Sequence, residues 1–142
     1  MKLTEDKSLC QRNQKIIVSK DQRSPVQHRA TNPQGMFDVR HYKLDGDIIK
    51  YQKCCDFLLV NDTRKKSYFI ELKGGNIDEA ISQLEEGVKI FKDELVNYTV
   101  FYRIVCSKAK THNIKGNTYR KFAEKKGTYL KCKENRLDEV LD

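Results

Sequence analysis

Regular hydrophobic patterning begins at Phe37. FDVRHYKL (37–44) reads as a strand, LDGD as a turn and DIIKYQ (47–52) as a short return strand. CCDFLLV (54–60) is an apolar run of strand length, NDTRKK a polar turn, and SYFIELK (67–73) a second apolar strand rich in aromatic and β-branched residues. So short a turn predicts that these two strands pair as an antiparallel hairpin. Gly74 and Gly75 then stop the strand, and Asn76 with Glu79 three residues later forms a capping-box pattern. Ile77, Ala80, Ile81, Leu84, Val88 and Phe91 recur at helical spacing, which predicts an amphipathic helix over 77 to about 95.

Beyond the helix, YTVFYRIVC (98–106) reads as a buried strand, SKAKTHNIKGN as a loop, TYRKFAEKK (118–126) as a short helix and GTYLKCK (127–133) as a closing strand. Residues 1–36 show neither period, and Pro25, Pro33 and Gly35 punctuate them; a short helix around Ser8 to Ile17 is the one element suggested there. The order β-β-β-α-β-α-β predicts an α/β fold of the mixed α+β kind, a central mixed sheet flanked by helices, in one domain spanning 1–142.

Composition narrows the classes. With 142 residues, 38% hydrophobic and 34% charged, the chain is polar yet rich enough in apolar residues to fold. No stretch approaches the ~20 apolar residues of a membrane helix, and MKLTEDKSLCQRNQ lacks a signal peptide's apolar core, so no membrane partner is expected. Five cysteines without a C-x-x-C fit neither a disulfide framework nor a zinc ribbon, and point to a reducing cytoplasm. The net charge of +8 is unevenly spread: a slightly acidic centre, 37–100, lies between basic ends. That distribution suits a polyanion held near bound cations.

Within SYFIELK, alternation puts Tyr68, Ile70 and Leu72 on one face and Phe69, Glu71 and Lys73 on the other. Charged groups at the end of an apolar strand are unfavourable without partners. Asp56 is likewise the only charge in CCDFLLV, and the hairpin would bring it near Glu71. Repulsion and burial would then favour either protonation or a bound cation, and hard ions such as Mg²⁺ prefer oxygen ligands of this type. An ion pair of Lys73 with either acid is the plainer alternative. The bare Glu-x-Lys pattern occurs three times, so it is the apolar context that singles out Glu71.

Cys-Asp56-Phe-Leu-Leu followed by Phe-Ile-Glu71-Leu-Lys73-Gly-Gly resembles the PD-(D/E)XK nuclease superfamily, with its restriction-endonuclease-like αβββαβ core. The resemblance covers residues 32 to about 106, and NPQGMFDVRHYKLDGDII is similar to small bacterial nuclease-like proteins of that group. It implies Mg²⁺-dependent hydrolysis of phosphodiester bonds, with Mn²⁺ as substitute, in DNA more than RNA. Asp56, Glu71 and the carbonyl of Leu72 would be the metal ligands. Lys73 would orient the attacking water or offset charge at the phosphate, and Gln83, on a line with Ala80 and Gly87, would position the water or a neighbouring side chain. Members often carry a further Glu on a helix before the first core strand, whereas this chain has none between Glu5 and Glu71; Asp38, Asp45 or Asp47 could serve, or the site holds one ion. A degenerate, non-catalytic binding module is the alternative.

Between Glu94 and Glu124 there is no acid, while Arg103, Lys108, Lys110, Lys115, Arg120 and Lys121 alternate with His112, Tyr119 and Phe122. Cations neutralise phosphates and rings stack on bases, so Lys108, Lys110, Lys115, Arg120 and Lys121 are the candidate nucleic-acid grip. His28, His41 and His112 have no metal-ligand spacing. A homodimer would let so small a nuclease cut both strands.

Overall fold

The computed structural model describes residues 1–73, 76–107 and 116–142. It is mixed α+β, as the pattern predicts. Five strands form the main sheet, in the order β3 (Val39–Lys43), β4 (Phe57–Asn61), β5 (Lys66–Lys73), β6 (Thr99–Cys106), β7 (Leu130–Glu134). β4 runs antiparallel to both β3 and β5, and β6 and β7 run parallel to β5. The parallel step from β5 to β6 requires a crossover, and helix α1 (Ile77–Ile90) lies within it. Helix α2 (Asn117–Lys126) precedes β7 and packs beside α1.

The sheet has two unlike covers. On one face Leu58, Val60, Phe69 and Ile104 meet Ile77, Ala80, Ile81 and Leu84 of α1 and Phe122 of α2. The other face is not helical. There Val39, Phe57, Leu59, Tyr68 and Ile70 pack on Ile17, Ala30 and Leu141, carried by a three-stranded sheet ordered β1 (Ile16–Lys20), β2 (Gln27–Thr31), β8 (Arg136–Val140). The expected helix over Ser8 to Ile17 is therefore replaced by turns leading into β1, and no α-helix precedes β3.

The β8 strand, which the sequence pattern left unassigned, is fixed by a buried charge cluster. Glu139 accepts from Arg103 Nε at 2.8 Å and Nη2 at 3.0 Å, and lies 2.6 Å from His28 Nε2. Together these join β2, β6 and β8. Arg103 is thus interior and not part of a phosphate-binding surface.

Two further expectations are corrected. DIIKYQ makes no return strand, because the backbone of Leu44 and Asp45 bonds to Asp56 and Cys55, so β4 already holds the partner edge of β3. Residues 44–49 fold back tightly instead, with the N–H groups of Asp47 and Ile49 both donating to the Leu44 carbonyl. The helix over 77–95 ends at Ile90. Turns follow, yet Phe91 and Leu95 still enter the core.

Candidate active site

The β4–β5 register pairs Phe57 with Ile70, so the next position outward sets Asp56 opposite Glu71. The two acids interlock through the backbone. The Asp56 N–H donates to Glu71 Oε1 at 3.1 Å, and the Leu72 N–H donates to Asp56 Oδ2 at 2.9 Å. Glu71 is 1% exposed, while the Asp56 side chain keeps about 20% of its surface open to solvent. Burial first, and then the charge of Asp56, push the Glu71 carboxyl up to about 9. Burial also raises Asp56, against the lowering effect of the Leu72 N–H and Lys43. At neutral pH this pair holds a proton in the metal-free protein.

Lys73 Nζ lies 3.7 Å from Glu71 Oε2 and 3.2 Å from Glu79 Oε1. One lysine thus stands between two carboxyls. The Asn76 side chain caps α1 by accepting from the Glu79 N–H at 3.0 Å, but the Glu79 side chain turns to Lys73 instead of closing the capping box. The cap therefore orders the helix and directs Glu79 at the same time.

Small residues bring α1 close to the strands. A Cβ on Gly87 would fall 2.7 Å from Cys55 Sγ, so only glycine fits this approach. Gln83 lies on the same line of the helix as Ala80 and Gly87, and its Oε1 is buried with no hydrogen-bond partner among the described residues. A buried amide oxygen left unpaired is unfavourable in a finished core.

A cleft of about 870 Å³ opens between the two sheets, and Asp56 lines it. One wall is the edge strand β1 and the turn after it, with Val18, Lys20 and Arg23; the other holds His41, Lys43, Asp45, Asp47 and Phe57. His41 is buried, lies 2.8 Å from Ser19 Oγ, stacks on Phe57, and burial lowers it to about 4, so it is neutral at pH 7. Of the three acids that could replace the absent upstream Glu, Asp45 is close enough to raise Asp56 and Asp47 lines the cleft. Asp38 lies elsewhere, beside Arg12 and Asn13.

The donor set suits a hard cation in its chemistry: two carboxyls held on paired strands by main-chain N–H groups, with the Leu72 carbonyl alongside in sequence. It is sparse. Among the described residues no group of three or more His, Cys, Asp or Glu could hold a metal.

The expected grip divides. Arg120 and Lys121 are exposed on α2, in the helix layer and away from the cleft between the sheets. Lys108, Lys110, Lys115 and His112 fall outside the described residues. Tyr119 and Phe122 pack into the core, so neither offers an open stacking face. The cleft wall supplied by Lys20 and Arg23 was missed from sequence, its only trace being the basic balance of the first 36 residues. Among the described residues no helix is long and apolar enough to cross a membrane. No family model, curated protein or solved structure matches this chain.

Proposed function

We propose that this protein is a Mg²⁺-dependent nuclease that hydrolyses phosphodiester bonds in DNA. The observation that carries the reading is the Asp56–Glu71 carboxyl pair, held by reciprocal main-chain contacts, with Lys73 on one side and an open cleft on the other. A strongly shifted acid, here Glu71, next to an acid that lines a cleft is a common mark of a reactive site.

Asp56 and Glu71, with the Leu72 carbonyl, would hold the ion. A bound Mg²⁺ supplies Lewis-acid polarisation of a phosphate and a lowered pKa for bound water. The chain's own groups do the rest. Asp56, at the cleft surface, sets where the phosphate meets the site, while Glu71 behind it is shielded from solvent. Lys73 keeps a positive charge within reach of Glu71 and would offset negative charge developing on the phosphate. Gln83 has a free amide oxygen that can accept a hydrogen bond from water, which fits a positioning role. Asp45 is the acid we assign to the place of the absent upstream Glu.

Among the described residues no group of three or more His, Cys, Asp or Glu could hold a metal, which favours one competing reading, a non-catalytic nucleic-acid-binding or partner-binding module on the same fold. Incubation with supercoiled, linear and branched DNA and with RNA, with and without Mg²⁺ or Mn²⁺, separates the two. Metal-dependent cleavage of DNA supports the nuclease. Binding without cleavage of any substrate supports the module.

A further inference from the structure

The cleft beside Asp56 has a construction that the carboxyl pair does not explain. Its β1 wall is the open edge of the small sheet. The Asn32 N–H donates to Lys15 O toward β1, while the Leu141 N–H donates to Thr31 O from the other side. Antiparallel alternation therefore pairs Lys15, Ile17 and Ser19 with β2 and leaves the N–H and C=O groups of Val18 and Lys20 on the open edge.

Side chains on this wall are equally unoccupied. The Lys20 and Arg23 side chains are exposed and have no ion-pair or hydrogen-bond partner among the described residues, whereas the adjacent Asp21 carboxylate is turned onto the Arg23 N–H at 3.0 Å. Leu9, 54% exposed, and Val18, 38% exposed, line the same cleft. Opposite stand Asp45, Asp47 and Asp56, with Lys43 4.0 Å from Asp56. One wall thus carries the cations Lys20 and Arg23 with Leu9 and Val18, Asp21 lying beside them, and the other carries three acids with Lys43 and Phe57 among them.

We infer that this cleft binds a single, unpaired nucleic-acid strand, whose phosphates are held by Lys20, Arg23 and the open backbone edge of β1 and whose bases lie against Leu9 and Val18. A duplex buries its base faces in its own stack and would present only phosphates and sugars to such a wall. An unpaired nucleotide has an apolar face to cover. A space of about 870 Å³ is the size of a small-ligand site and takes a few nucleotides of one strand. The inference takes the position of the scissile phosphate from the nuclease reading above, but the binding it describes stands without that reading.

Fluorescence anisotropy on the intact protein tests it, with Ca²⁺ in place of Mg²⁺ and a labelled 12-nucleotide probe as a DNA strand, an RNA strand of the same sequence and a DNA duplex. Either single strand should bind at least tenfold more tightly than the duplex, the tighter of the two naming the sugar. The double variant Lys20→Ala/Arg23→Ala should lower the slope of log affinity against log salt by about 1.4, two contacts at about 0.7 each. Val18→Asp should weaken strand binding about tenfold or more, and circular dichroism establishes that each variant is folded. A duplex bound as tightly as the strands, or an unchanged salt slope in the folded double variant, overturns the inference. Strand binding with these variant effects but no cleavage in Mg²⁺ upholds it and removes the nuclease reading. Cleavage confined to duplex, unaffected by the double variant, does the reverse.

Discussion

The main-chain N–H of Asp56 donates to Glu71 at 3.1 Å, so the backbone of one candidate ligand fixes the side chain of the other. Each carboxyl is held by a main-chain N–H beside the other acid, Asp56 by that of Leu72 and Glu71 by that of Asp56. Burial, and then the charge of Asp56 held so near, raise Glu71 to about 9.

The pH dependence of stability follows. Glu71 titrates near 4.5 when unfolded and at about 9 when folded, so its contribution is full below pH 4.5 and is lost as pH rises toward 9. Metal-free protein should melt at steadily lower temperature between pH 5 and 9. Glu71→Gln, which mimics the protonated form, should flatten that decline and exceed wild type in melting temperature at pH 8 to 9. Parallel pH profiles for the two proteins would show that Glu71 is not raised.

A divalent ion bound by Asp56 and Glu71 would compete with the proton that raised Glu71 holds. Millimolar Mg²⁺ or Mn²⁺ should therefore raise the melting temperature, by an amount equivalent to about 2.7 kcal/mol when the ion is at 100 times its Kd. The shift should grow between pH 6 and 8.5, as proton competition falls, and should largely vanish in Asp56→Ala. Differential scanning calorimetry at several pH values measures both.

Gly87→Ala should destabilise the protein by about 1–3 kcal/mol, because its Cβ would meet Cys55 Sγ at 2.7 Å, and this overpacking outweighs the ~1 kcal/mol gain in helix propensity. Combining it with Cys55→Ala should recover part of the loss. Urea denaturation of both single variants and the double variant gives the coupling.

Glu139→Ala leaves Arg103 buried without its carboxylate and should cost about 3–5 kcal/mol, whereas Asp138→Ala, which breaks an exposed, solvent-screened pair with Arg136, should leave the denaturation midpoint almost unchanged. Glu139 is held down to about 2, so this contribution is present above pH 4.5 and fades as pH falls through 2. Denaturant titrations at pH 7 compare the two variants.

The parts of the fold legible in sequence are those whose signals are local. The β4–β5 hairpin shows in two apolar runs around a polar turn, and α1 in its cap and its 3.6-residue period. The pairing of Asp56 with Glu71 followed from that hairpin alone. The small sheet left no such mark, because it buries one face only and that face includes Ser19 and His28 as well as Ile17 and Ala30. RLDEV reads as polar for a related reason: Glu139 is buried only because Arg103 and His28, distant in sequence, meet it. With β1 unseen, the cleft could not be foreseen, and the basic segment after β6 drew attention instead.

Asp56, Glu71 and Lys73 are proposed to act together as one metal-dependent phosphodiesterase site. The most direct test is single-turnover cleavage of labelled DNA in Mg²⁺ by wild type and by Asp56→Ala, Glu71→Ala and Lys73→Ala, each verified as folded. Wild type should cut only with metal, and each variant should be slower by about 100-fold or more, since each loses a group acting on charge at the phosphate. A pure, folded Glu71→Ala protein cutting at the wild-type rate would contradict the claim.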